Sequence, residues 1–177
     1  MSAACVTGGG PVIACALGRA RIAPRRDATP ETPYPWFSVT KLFTATAVLQ
    51  LVERGKVLLD EAISTYVPSF RVESPSAPTV RHLLSHTSGL ANPIPMTWVH
   101  LAGEHRPTLD ELTERELARH SNVRFAPGAR FAYSNLNYLV LGQLIERASG
   151  EPYEKYVTEH VLGPLGATGA GFGAPPD

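Results

Sequence analysis

Ser38-Val39-Thr40-Lys41-Leu42-Phe43-Thr44-Ala45-Thr46-Ala47-Val48-Leu49-Gln50-Leu51-Val52 is the stretch on which the fold turns. From Leu42 to Val52, eight of eleven positions are apolar, and only Thr44, Thr46 and Gln50 interrupt them. A helix apolar nearly all round belongs in a domain interior, and Gly55 supplies the usual C-terminal stop. Ser38 and Lys41 stand three apart, so they share a face where this helix begins. A hydroxyl is a poor nucleophile and needs a base beside it. A lysine in apolar surroundings loses its preference for the charged form and can act as that base. The helix N-terminus adds N–H donors and partial positive charge that favour a developing anion. A helix cap followed by a surface lysine is the bland account of the same four residues.

Working outward, Tyr133-Ser134-Asn135 precedes a helical stripe of Leu136, Leu139, Val140, Leu144, Ile145 and Ala148 that stops at Gly150. Asn135 is the expected cap of that helix. A phenol can relay a proton once a nearby cation lowers its pKa, and Lys41 would be that cation for Tyr133. Asn135 would then hold the lysine or bind a substrate amide. Thr79 is placed to cap a short helix through Ser85, and Thr108 with Glu111 forms a capping box for a helix toward His120. Pro152 suits the first position of a helix through Val161. Upstream, the apolar runs Ala3 to Thr7 and Pro11 to Leu17, split by Gly8-Gly9-Gly10, predict a β-hairpin. Arg19 to Thr32 reads as a polar connecting loop. A lone hairpin is marginal, and no later strand pattern offers it partners.

Composition narrows the function. The 177 residues carry sixteen Lys+Arg against sixteen Asp+Glu, a formal net charge of zero. A nucleic-acid partner is not expected without a basic excess. No apolar run reaches the ~18 residues of a membrane span. No basic-then-apolar export segment is visible, which predicts a cytoplasmic protein. Cys5 and Cys15 fall slightly out of register in the hairpin and are expected as free thiols. His82 and His86 stand four apart, but nothing completes a metal set of the H-E-x-x-H kind. His86 is therefore read as a packing or turn residue, and a metal is not expected there.

Taken together, the chain resembles the serine β-lactamase and penicillin-binding protein superfamily, on its class C and esterase side. The resemblance rests on Pro35 to Ala45, Leu49 to Lys56, Thr79 to Leu90, Pro127-Gly128 through Tyr133-Ser134-Asn135, Tyr138 to Gly142 and Pro164-Leu165-Gly166. It implies a β-lactamase/transpeptidase-like α/β (α+β) fold. In it, Ser38 would be the acylated nucleophile and Lys41 its proton acceptor or the cation that tunes Tyr133. Tyr133 would be the base that also protonates the leaving group, and Asn135 the amide-binding residue. The implied reaction is two-step acyl transfer on a small-molecule ester, β-lactam or D-amino-acid peptide, and it needs no metal or organic cofactor.

Two departures shape the expectation. The family carries a K-T-G or H-x-G strand that supplies a second oxyanion N–H. Here none of Lys41, Lys56 and Lys155 is followed by Thr-Gly, and no H-x-G occurs. The family's N-terminal helix is absent as well. The chain is thus expected as one incomplete domain, truncated on its C-terminal side: hairpin and connecting loop over 1–37, helical region over 38–177, remaining strands missing. The alternative function is a catalytically impaired fragment or a pseudo-enzyme completed by a partner, serving as an interaction module. An exposed strand edge would favour self-association.

Overall fold

The computed structural model describes residues 1–8, 10–93 and 106–173. The chain divides into two compact units, Met1–Phe37 with Ala167–Asp177, and Ser38–Gly166.

In the first unit, β1 (Ser2–Thr7) pairs antiparallel with β2 (Gly10–Ala16), with a register shift between Cys5 and Val6. The central turn residue, Gly9, lies outside the described residues. Cys5 stands opposite Ile13, and Cys15 opposite Ala3, so the two thiols are free and exposed. The loop expected over Arg19–Thr32 is partly ordered into a second small ladder, β3 (Arg19–Arg21) with β4 (Arg26–Asp27). Extended backbone satisfies its polar groups by pairing locally, even where side-chain patterning is too polar to announce a strand. The Ser2 hydroxyl donates to the Thr29 carbonyl at 2.8 Å and meets the Tyr34 phenol at 3.2 Å. Among the described residues each sheet has two strands. Val6 and Ile13 are 70% and 61% exposed, so these two apolar side chains of the hairpin are not spent on a core.

The second unit is helical. A 3-10 turn, Phe37–Val39, leads into α1 (Thr40–Glu53); α2 (Ile63–Tyr66), α3 (Val80–Leu84), α4 (Leu109–Arg119), α5 (Asn135–Ser149) and α6 (Tyr153–Val157) follow. α5 is the axis of the unit, with Leu136, Val140, Leu141, Leu144 and Ile145 fully buried. Against it pack α1, α3, α4 and α6. Its start is capped by an extended Ser134, in place of the expected Asn135, and its end is set as expected by Gly150 in the left-handed region (φ 79). The Thr108/Glu111 box forms as expected, and the expected Thr79 cap is completed to a box by His82. Pro152 caps α6 one position ahead of its expected place, and the helix ends in a π-helical turn, Thr158–Leu162.

α1 corrects one expectation. It turns Thr44, Ala47, Val48 and Leu51 inward, but Leu42 is 66% exposed and Leu49 50%. The helical unit packs on one side of α1 only, so a helix with apolar residues all round is here buried along a stripe.

Gly89 fixes how the segment after α3 meets the rest. Its φ is +81, and a Cβ there would lie 2.4 Å from the Phe125 carbonyl oxygen. Only glycine lets this backbone run so close, and the approach is sealed by Arg124 N–H donating to the Gly89 carbonyl at 2.8 Å.

Candidate active site

Ser38 sits in the 3-10 turn and Lys41 in the first turn of α1. Three residues per 3-10 turn nearly eclipse positions i and i+3, which brings Lys41 Nζ within 3.2 Å of Ser38 Oγ. Tyr133 arrives from the loop before α5, ninety-five residues downstream, and its hydroxyl lies 2.9 Å from Ser38 Oγ. Asn135, the first residue of α5, accepts a 2.8 Å hydrogen bond from Lys41 Nζ at Oδ1. The four residues singled out in the sequence therefore meet. Lys41 also stands 5.1 Å and 5.5 Å from the ring centroids of Tyr133 and Tyr138.

The loop is held by a second row of side chains. Ser134, not Asn135, caps α5: its backbone is extended, and its Oγ accepts the Asn137 N–H at 3.4 Å while donating to the Ala91 carbonyl at 2.6 Å. Two adjacent residues with good capping side chains cannot be separated by preference alone. Asn135, being helical, is freed to face the lysine, and Asn92 Oδ1 accepts its N–H at 2.9 Å. Asn137, fully buried, donates to the Leu83 carbonyl at 3.2 Å and accepts from Ser88 Oγ at 2.6 Å. These anchors tie α3 and the turn after it to α5. The Ser134-x-x-Asn137 spacing was the one sequence signal that could have found them.

His86 is buried and has a left-handed backbone (φ 57). Its carbonyl accepts the Ala132 N–H at 2.8 Å, and its Nδ1 accepts the Ser134 N–H at 3.1 Å. Its ring lies 4.5 Å from that of Tyr133 and 5.1 Å from that of Tyr138. His82, by contrast, spends Nδ1 on the Thr79 N–H. The histidine pair four apart is therefore engaged in holding backbone amides.

Burial alone would raise the Tyr133 phenol. Hydrogen bonding with Lys41 and Ser38, together with the Lys41 charge, outweighs it and holds the phenol below the ordinary tyrosine range. Burial, then the Lys41 charge, push the His86 imidazole down. Burial, then the neighbouring Tyr133, push Tyr138 up. The two phenols are thus set apart, and the one on Ser38 is the easier to ionise.

Among the described residues, Glu151, Glu159 and His160 bring ligand atoms within 4.8 Å of one another. Lys155 already lies 3.5 Å and 3.9 Å from the two carboxylates, supplying the positive charge a metal would bring. This cluster does not include the Ser38 group.

A serine hydroxyl on a phenol of depressed pKa, with an ammonium donating to both the hydroxyl and an amide oxygen, is an arrangement for activating an oxygen nucleophile. The model of the Beta-lactamase family matches residues 1–177, and the chain belongs to that family. It is 38% identical over 144 residues to the putative penicillin-binding protein PbpX of Bacillus subtilis, covering 81% of this chain and 34% of that protein. It resembles the crystal structure of a penicillin binding protein from Bacillus halodurans with TM-score 0.80 and 30% identity, over 98% of this chain and 52% of that one. A D-amino acid amidase from Ochrobactrum anthropi SV3 gives TM-score 0.73 and 30% identity, over 93% of this chain and 45% of that one. The chain spans about a third of the length of the curated relatives it matches. Its fold is β-lactamase/transpeptidase-like, present as a partial α/β domain. No helix among the described residues is long and apolar enough to cross a membrane.

Proposed function

We propose that this chain carries the nucleophile-activating part of a serine hydrolase that works through an acyl-Ser38 ester. The observation that supports it most directly is the convergence of Ser38 Oγ, Tyr133 OH and Lys41 Nζ within 2.9 Å and 3.2 Å. Tyr133, as phenolate, takes the proton from Ser38 Oγ as that oxygen bonds to the substrate's acyl carbon. The tetrahedral adduct collapses, the bond to the leaving group breaks, and Tyr133 OH returns the proton to it. Water, deprotonated by the same phenolate, then cleaves the ester. Lys41, donating to Ser38 and Asn135, acts as the cation that keeps the phenol acidic, and Asn135 Nδ2 is left to receive a substrate amide carbonyl. The substrate class is a small ester, a β-lactam or a D-amino-acid amide or peptide, in keeping with the penicillin-binding and amidase relatives.

A fluorophosphonate or penicillin probe tests this. The intact mass should rise by one adduct, mapped to Ser38 and lost in Ser38→Ala; no adduct on the folded chain would overturn the proposal. A second reading, a site completed by a partner, is favoured by the exposed Leu42 and Leu49 on α1 and the exposed apolar hairpin residues. It predicts self-association or a requirement for a second polypeptide before Ser38 reacts.

A further inference from the structure

Tyr133 is flanked by two backbone amides, and both are held by one residue. Ala132 N–H donates to the His86 carbonyl at 2.8 Å, and Ser134 N–H donates to His86 Nδ1 at 3.1 Å. The ring between those two contacts packs on the Tyr133 phenol at 4.5 Å, tilted by 34°. Phe131 closes the outer side edge-on at 5.9 Å, and Tyr138 lies at 5.1 Å. The left-handed backbone of His86 is what lets its carbonyl and its ring reach the same loop segment. Such a backbone costs a non-glycine residue of order 1–3 kcal/mol and persists where the surroundings demand it.

We propose that His86 is the positioning residue of the site: its neutral imidazole clamps the Ala132–Ser134 backbone so that the Tyr133 phenol stays on Ser38, and protonation of Nδ1 releases the clamp. This rests on the acyl-serine reading for its consequence, but not for its geometry. An imidazole accepting at Nδ1 carries its proton on Nε2. Adding a proton to Nδ1 turns the acceptor into a donor that faces the Ser134 N–H, and the contact becomes repulsive. The titratable groups facing the ring are Lys41 from α1, Tyr133 from the loop and Tyr138 from α5, one cation and two phenols. Burial and the Lys41 charge both favour the neutral ring. A histidine whose pKa is depressed on folding leaves stability intact above the ordinary value of about 6.5. Stability then falls as pH drops from there toward the lowered folded pKa, because the unfolded chain binds the proton first.

The experiment compares the full chain with His86→Ala and His86→Asn. Asparagine tolerates the left-handed backbone and can offer Oδ1 near the Nδ1 position, but does not titrate. Two readouts are taken: the Tyr133 phenol titration by Cζ NMR, assigned with Tyr133→Phe, and the rate of fluorophosphonate labelling of Ser38 from pH 5 to 8. Loss of the clamp in His86→Ala should move the Tyr133 titration toward the ordinary tyrosine range and slow labelling by roughly tenfold or more. His86→Asn should recover most of both, and should lack the break below about pH 6.5 that the native chain shows. If His86→Ala does not fold, the native chain and His86→Asn still decide: the same acid break in both overturns the proposal. A folded His86→Ala with the native Tyr133 titration also overturns it. Should Ser38 never label, the acyl-serine reading fails, while the NMR titration still decides the role of His86.

Discussion

Replacing Tyr133 with phenylalanine removes one atom and asks what it did. The hydroxyl lies 2.9 Å from Ser38 Oγ, while Lys41 Nζ donates to the same oxygen from 3.2 Å. An ammonium that is donating cannot accept the serine proton, so Tyr133→Phe leaves Ser38 with a donor beside it and no base. A positioned general base contributes roughly 10²–10⁴-fold to rate, which is ~3–5 kcal/mol of barrier at ~1.4 kcal/mol per decade. The fold should scarcely notice. Tyr133 is 39% exposed and its ring would remain against His86; the stability change should stay within ~0.5 kcal/mol. The assay is the second-order rate of adduct formation at Ser38 by mass spectrometry, with urea unfolding of the same samples. A variant as stable as the native chain and labelled at the native rate would refute the assignment of Tyr133 as base.

Four further outcomes are expected. Because the phenol is held below the ordinary tyrosine value of about 10, labelling of Ser38 should climb with pH through an inflection that lies below that value. Lys41→Met should move the inflection upward, since the cation that favours phenolate is gone; an unmoved inflection would contradict the tuning role. Ser134→Ala removes the α5 cap and strands the Ala91 carbonyl, so urea unfolding should read a loss of ~2–3 kcal/mol from the two together. Ile13→Lys, on a 61% exposed strand position, should lower any concentration-dependent association seen by sedimentation velocity.

Much of the site was legible because its signals are local. Ser38 and Lys41 are joined by a single helical turn, and Tyr133 and Asn135 bracket the start of a helix whose apolar stripe is unmistakable. Gly150, the Thr79 cap and the Thr108/Glu111 box needed no tertiary information either. What escaped notice depends on which groups meet after folding. Ser134 and Asn135 are equally good caps until the Ala91 carbonyl and Asn92 select one of them. The outward stripe of α1 could not be foreseen, because Leu42 and Leu49 look as buriable as Val48 and Leu51. The Arg19–Asp27 ladder is too short and too polar for alternation to reveal. His86 showed only as a turn histidine; the two amides it clamps lie in a segment nearly fifty residues away.

Ser38, Lys41, His86, Tyr133 and Asn135 all belong to the unit Ser38–Gly166. The groups proposed to activate the serine are thus all carried by the helical unit. Stabilising the oxyanion is a different matter. The family resemblance assigns one donor to the Ser38 N–H and the other to a K-T-G or H-x-G strand, and this sequence contains neither triplet. One missing oxyanion donor costs ~10²–10³ in rate. Activation and oxyanion binding should therefore separate experimentally in this chain. A fluorophosphonate, whose phosphorus is strongly electrophilic, needs chiefly the activated oxygen, whereas an unactivated ester needs both. Ready labelling of Ser38 with ester turnover slower by that factor than in a K-T-G-bearing relative would locate the division between the two tasks at the boundary of the helical unit. Equal turnover would mean that some other N–H of this chain binds the oxyanion.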